Sequence, residues 1–126
     1  MGKSDEYKAG RVSSVIGKKT VIEGTVTGNE LLRIDGLVKG TVRSEGKVII
    51  GNGGKIEGRV EANEIYVGGT VEGELFATGK VEANRTGRIF GDIHTKSLIV
   101  DEDAIFEGRC EMTKEQPEKK EEKTEE

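Results

Sequence analysis

The sequence has little of what a core of large side chains needs. Its 126 residues include no Trp, one Pro, three Phe and two Tyr, and apolar residues make up 33%. Glycine is abundant, with 19 residues, but it has no side chain to bury. We therefore expect an interior filled by small and aliphatic side chains rather than by aromatic rings.

Long apolar runs are also missing. No segment approaches the roughly 18 apolar residues that a membrane-spanning helix requires. The first ten residues, MGKSDEYKAG, lack the apolar centre of a signal peptide. The single cysteine, Cys110, cannot form a disulfide within the chain, which favours a reduced, cytoplasmic setting. The formal net charge is −4 with both signs mixed along the chain, and this pattern predicts no nucleic-acid-binding face.

Residues that carry catalysis are scarce. His94 is the sole histidine, and we interpret it as a solvent-facing corner residue just past a strand. Cys110 stands at an inward position and is interpreted as a small core residue rather than a nucleophile. The GKS at residues 2–4 lacks the upstream glycine and strand of a phosphate-binding loop, and the acidic run at residues 101–103 is typical of a solvated corner. The sequence therefore predicts no enzyme activity, catalytic residue, metal site, nucleotide or other cofactor.

A repeat of about 17 residues dominates the chain instead. An apolar residue, a spacer, a glycine, a spacer and a second apolar residue recur six times, as in VIEGTV and KIEGRV. Successive glycines are 16, 18, 15, 18 and 17 residues apart. The motif glycines, which we expect where the wall bends or where side chains need space, are Gly24, Gly40, Gly58, Gly73, Gly91 and Gly108.

Two further columns share this period. One is an apolar pair between successive motifs: Leu32/Ile34, Val48/Ile50, Ile65/Val67, Val81/Ala83 and Leu98/Val100, with Ser14/Ile16 in the first repeat. The other is a small residue after each of the first five motifs: Gly28, Ser44, Ala62, Ala77 and Thr95. Within a motif the period is two, so Ile56, Gly58 and Val60 are expected to face one way.

The repeat is too short for a helix, and its columns recur in one direction, so the strands are predicted to be parallel. The fold class that follows is all-β: a right-handed parallel β-helix, or solenoid, of about six rungs. Six rungs at about 4.8 Å each give a stack about 29 Å long. We expect a flexible N-terminal segment at residues 1–13, the β-helix at 14–112 and a disordered charged tail at 113–126.

The ends of such a stack expose unpaired strand edges and a cross-section of the core. The sequence offers no evident cap, and Phe106 stands in the last motif where the other five have Ile or Val. Phe106 is either a local lid on a monomer or a contact with another subunit. The predicted polymer interface comprises Ile16, Val21, Ile22, Leu98, Val100, Ile105, Phe106, Cys110 and Met112.

The repeats of the VIEGTV type, the IFEGRC end and the two flanking tails resemble the bactofilin family over residues 14–112. The resemblance implies a bacterial cytoskeletal scaffold that polymerises end to end without nucleotide, with like ends meeting head to head and tail to tail. It implies roles in cell shape, motility or the positioning of cell-wall enzymes. It also implies membrane association through an N-terminal peptide, although here Asp5 and Glu6 offset Lys3 and Lys8.

Other classes of protein fit less well. A hexapeptide-type acyltransferase would have an apolar residue every six positions and a catalytic histidine with a partner. An ice-binding helix would have an outward column of Thr, but the column after the motif glycine is Thr25, Thr41, Arg59, Glu74, Asp92 and Arg109. A β-helical scaffold or adaptor that does not polymerise remains open at this stage.

Overall fold

The structure, a computed structural model, describes residues 14–112. Segments 1–13 and 113–126, for which the sequence predicts a flexible arm and a charged tail, lie outside the described residues. The described residues form nine strands: β1 Ser14–Ile16, β2 Val21–Gly28, β3 Leu31–Ile34, β4 Leu37–Ser44, β5 Lys47–Ile50, β6 Lys55–Val67, β7 Thr70–Ala83, β8 Arg88–Val100 and β9 Ile105–Met112.

Every ladder between these strands is parallel, and each joins one repeat to the next. One rung consists of an apolar-pair strand followed by a motif strand, so that rungs 1 to 6 are residues 14–28, 31–44, 47–62, 64–77, 80–95 and 97–112. The motif glycines pair with one another from Gly24 to Gly108. The predicted parallel β-solenoid of about six turns is therefore confirmed.

The turns between strands extend the ladder around the coil. The Asp35 N–H donates to the Ile16 carbonyl at 2.7 Å, and the Leu37 N–H donates to the Thr20 carbonyl at 2.9 Å. Equivalent bonds recur at the same corner of the later rungs, for example from the Lys55 N–H to the Gly36 carbonyl at 2.9 Å. These corner bonds satisfy backbone polar groups that lie outside the strand ladders.

The core is a set of stacked aliphatic columns. The motif residues Val38, Ile56 and Val71 are completely buried, and so are the pair residues Val48 and Ile65. The small column lies inside the corner that follows each motif, where Ala62 and Ala77 are buried and the Ser44 hydroxyl donates to the Glu30 carbonyl at 3.0 Å. These positions are buried in the interior rungs, as the small residues of the column predict.

The motif glycines have a role that the period of two did not predict. Their φ angles lie between 124° and 144°, a conformation that residues with a side chain rarely adopt. Gly58 does not face the core, because a Cβ added to it would meet the carbonyl oxygen of Gly40 in the previous rung. The expectation that Gly58 faces the same way as Ile56 and Val60 is therefore wrong, although the expected bend of the wall agrees with the positive φ.

The rungs also differ at the corner after the motif. The ladder between β6 and β7 shifts register between Ala62 and Glu64, and the ladder between β7 and β8 shifts between Ala77 and Lys80. Asn63 alone spans this corner in rung 3, whereas Thr78 and Gly79 span it one rung later. Within residues 14–112 there is no helix that is long and apolar enough to cross a membrane.

Candidate assembly interface

Each end of the described stack has open strand edges. In residues 14–112, β2 pairs only with β4, and β9 pairs only with β8. β1 likewise pairs only with β3, and Leu98 to Val100 of β8 pair only with β7. An unpaired strand edge is a template for another strand, so both ends are candidate sites for contact with a second chain.

Side chains at the N-terminal end are incompletely covered. Ile22 and Val26 point inward in rung 1 but are only half-buried, whereas their partners Val38 and Val42 in rung 2 are completely buried. A Cβ added to Gly24 would meet no atom within 4 Å. Rung 1 therefore presents a cross-section of the apolar interior on its outer side.

Side chains at the C-terminal end are also incompletely covered. Leu98, Phe106 and Cys110 pack against the core but remain half-buried. Ile105 is 41% exposed and Met112 is 53% exposed. Met112 pairs with Thr95 and so occupies the column that holds small residues in the earlier rungs.

Two outward columns place exposed aliphatic side chains in the end rungs. One outward column consists, from rung 1 to rung 6, of Val21, Leu37, Lys55, Thr70, Arg88 and Ile105. Its end residues Val21 and Ile105 are 59% and 41% exposed. In the neighbouring outward column the end residues are Val15, 57% exposed, and Ile99, 48% exposed. Each end of the stack thus carries two exposed aliphatic side chains on its outer wall.

Eight of the nine predicted interface residues are exposed or half-buried in the two end rungs. The exception is Ile16, which is 8% exposed and packs in the core in register with Ile34. Sequence reasoning missed Val15, Val26 and Ile99. Val26 could have been found, because Val26 in rung 1 and Cys110 in rung 6 belong to the same inward column. Val15 and Ile99 face outward, so the inward columns do not include them.

Cys110 is the cysteine of the C-terminal end. Its sulfur lies 3.6 Å from the Met112 sulfur, and burial raises the pKa of the thiol. A raised pKa disfavours the reactive thiolate. Cys110 packs against the core but is only half-buried, and its role as a small core residue rather than a nucleophile stays a prediction.

Between the ends, the outer wall carries ion pairs both within rungs and between neighbouring rungs. The Nε atom of Arg43 donates to Glu61 at 3.0 Å, and the Nε atom of Arg59 lies 2.6 Å from the same carboxylate. Arg43, and after it Arg59, hold the pKa of Glu61 below its ordinary value of 4.5. Lys55 lies between Glu57 and Glu72, at 3.3 Å and 3.4 Å. This charged wall contrasts with the apolar ends.

His94 is not the corner residue that the sequence suggested. It lies inside β8, is half-buried, and its ring stacks on Phe76 with a centroid separation of 4.5 Å. Its Nδ1 atom lies 3.0 Å from Glu111 Oε1 in rung 6. The acidic run at residues 101–103 is an exposed turn, in which the Asp103 N–H donates to Asp101 Oδ1 at 3.0 Å.

Known proteins share this arrangement. Residues 14–111 match the sequence model of the bactofilins, which is described as polymer-forming cytoskeletal. The chain is 32% identical over 100 residues to bactofilin BacO of Myxococcus xanthus (strain DK1622), a match that covers 79% of each protein. It is 34% identical over 100 residues to BacP of the same organism, and that match covers 79% of this chain but 42% of BacP.

Solved structures agree with the sequence relatives. The fold superposes on Thermus thermophilus bactofilin in a cryo-EM reconstruction of double helical filaments, with a TM-score of 0.74 and 36% identity over 77% of this chain and 96% of that one. It also superposes on the crystal structure of a phenylalanine-to-arginine mutant of that bactofilin, with a TM-score of 0.66 and 36% identity over 70% and 98% of the two chains. The chain therefore belongs to the bactofilin family of polymer-forming cytoskeletal proteins.

Proposed function

We propose that this chain assembles end to end through rungs 1 and 6 into filaments that serve as a cytoplasmic scaffold. The observation that carries the proposal is the incomplete burial of inward side chains in both end rungs, next to neighbours that are completely buried. A second stack placed on either end would cover this apolar surface and pair the open strand edges. Both changes favour association.

The driving force in this proposal is the contact itself. Burial of aliphatic side chains and formation of strand ladders need no nucleotide, metal or enzymatic step, so assembly is expected with purified protein alone. The charged outer wall disfavours side-by-side association of apolar surfaces and directs growth along the stack. Since the function is structural, the chain is proposed not to be an enzyme.

We further propose that like ends meet, so that the filament has no polarity. Each contact is then two-fold symmetric, rung 1 against rung 1 and rung 6 against rung 6. The filament would act as a platform for cell shape, motility or cell-wall enzymes. Its place is the cytoplasm, and the family resemblance extends the proposal to attachment at the inner face of the cytoplasmic membrane.

Two variants that each block one end test this arrangement. Val26→Arg places a charge in rung 1, and Phe106→Arg places one in rung 6. If like ends meet, each variant alone forms discrete dimers through its intact end, and mixing the two forms no new species. Sedimentation velocity measures both states.

Polar, head-to-tail growth gives the opposite pattern. Each variant alone would then be monomeric, because both substitutions damage the same contact. A mixture would form dimers, because the intact rung 1 of the Phe106→Arg chain could bind the intact rung 6 of the Val26→Arg chain. Polymers that persist in both single variants would contradict end-to-end assembly altogether.

A further inference from the structure

Two carboxylates and the sole histidine converge on the outer wall of rungs 4 and 5. Glu74 belongs to β7, and Asp92 and His94 belong to β8. One ligand atom from each of the three side chains lies within 4.8 Å of the other two. We propose that these three residues form a binding site for a divalent transition-metal ion, with Zn²⁺ as the ion that fits best.

The strand register places like charges directly opposite one another at this point. Glu74 pairs with Asp92 in the ladder between β7 and β8. Opposed like charges destabilise a sheet unless a cation lies between them. The wall contains a second such pair, Glu57 and Glu72, and there Lys55 contacts both carboxylates at 3.3 Å and 3.4 Å.

The Glu74–Asp92 pair has no comparably close cation among the described side chains. Its ion pairs are long: Arg59 Nη1 lies 3.7 Å from Glu74, and Arg109 Nε lies 3.9 Å from Asp92. Arg59 is held by a shorter contact to Glu61, at 2.6 Å. The two carboxylates therefore keep oxygen atoms that a metal ion could bind.

His94 has a carboxylate partner of the kind that a metal-binding imidazole usually has. Its ring lies nearly parallel to that of Phe76, with an interplanar angle of 5°. Its Nδ1 atom lies 3.0 Å from Glu111 Oε1, so Nδ1–H can donate to this carboxylate while Nε2 binds the ion. An imidazole that binds a metal commonly donates its other N–H to a carboxylate in this way. Glu111 is thus a positioning residue.

The set of ligands favours Zn²⁺ over harder ions. One imidazole and two carboxylates supply three of the four positions of a tetrahedral zinc site, and water supplies the fourth. Mg²⁺ and Ca²⁺ prefer a shell made of oxygen alone. The sequence predicted no metal site, because it gave no second ligand for His94. The proposal differs from that prediction. It is independent of filament assembly.

Titration of the full-length protein with Zn²⁺ by isothermal calorimetry tests the site, with Co²⁺ absorption as a second readout of an imidazole and oxygen shell. Wild type is expected to bind one ion per chain in a saturable step. His94→Gln and Glu74→Gln are each expected to weaken binding at least about tenfold, and Glu111→Gln by about 10- to 100-fold.

The matched control is Glu72→Gln, which removes a carboxylate from the other like-charge pair and has no imidazole beside it. Its affinity for Zn²⁺ should stay within about twofold of wild type. Circular dichroism checks that each variant keeps its strand content. Binding that is not saturable, or that is unchanged in both His94→Gln and Glu74→Gln, would overturn the proposal.

Discussion

Phe106 lies directly over Ile89, one rung further along the stack, but the two side chains have different surroundings. Ile89 is completely buried because a rung lies on each side of it. Phe106 packs on the core from one side and is only half-buried. A further rung placed on Phe106 would give it the environment of Ile89, and we propose that a second chain supplies this rung.

Replacing Phe106 with Arg should therefore prevent the formation of long polymers. Contact at this end would bury the new charge without a partner, and that cost is high. The control is Phe90→Arg, since Phe90 lies on the outer wall between Glu72 and Glu107, where an arginine is tolerated. High-speed pelleting should recover the Phe90→Arg protein but not the Phe106→Arg protein. Equal pelleting of the two variants would leave Phe106 without a role in assembly.

Substitution of the motif glycines should depend on the rung. Gly58→Ala combines a positive φ with contact against the Gly40 carbonyl, whereas Gly24→Ala has the same backbone strain but open space around the new Cβ. Strain at φ costs about 1–3 kcal/mol at both positions, and overpacking adds about 1–3 kcal/mol at Gly58 alone. Urea unfolding measures the difference. If Gly24→Ala destabilises as much as Gly58→Ala, rung-to-rung contact is not the reason for the glycine column.

Removal of a core side chain should be far more costly than removal of its outward neighbour. Ile65 is completely buried, and Ile65→Ala should lower the free energy of unfolding by about 2–5 kcal/mol. Ile49 is half-buried on the outer wall, so Ile49→Ala should cost clearly less. Chemical denaturation of both variants at one protein concentration makes the comparison. Similar losses at the two positions would contradict the assignment of inner and outer columns.

Stability should fall in acid partly through Glu61. Because Arg43 and Arg59 lower the pKa of Glu61 from 4.5, the folded state binds this proton less readily than the unfolded chain does. The stabilisation is present above about pH 4.5 and is lost as the pH falls through the lower folded-state pKa. Urea midpoints between pH 7 and pH 3 should fall less steeply for Glu61→Gln than for wild type.

The sequence was sufficient to predict the stacked columns. Three independent columns repeat with the same period, and each pairs in the structure as that period requires, from Ile16 with Ile34 to Phe106 with Ile89. The apolar character of the ends followed as well, because most inward positions of the terminal rungs keep apolar residues, with Ser14 as a polar exception. Each rung repeats the environment of the rung before it, so the same residue types recur at a fixed period. This is why the fold can be predicted from one sequence.

Other features were out of reach because they depend on backbone angle and on contacts between rungs. The period of two within the motif predicted that Gly58 faces the core. The spacing of apolar residues carries no information about the positive φ that turns Gly58 toward the Gly40 carbonyl. His94 was misplaced at a corner because the strand β8 continues past the motif. The contacts of His94 with Phe76 and Glu111 depend on the rotamers of outward side chains in three adjacent rungs, which the sequence does not specify.

Electron microscopy of the purified chain, without added nucleotide and in the presence of a metal chelator, tests the central claim most directly. End-to-end contact through rungs 1 and 6 predicts long filaments a single stack or a few stacks wide, and because like ends meet, the repeat along the axis spans two chains. Discrete particles that stay monomeric over a wide range of protein and salt concentration would contradict the claim.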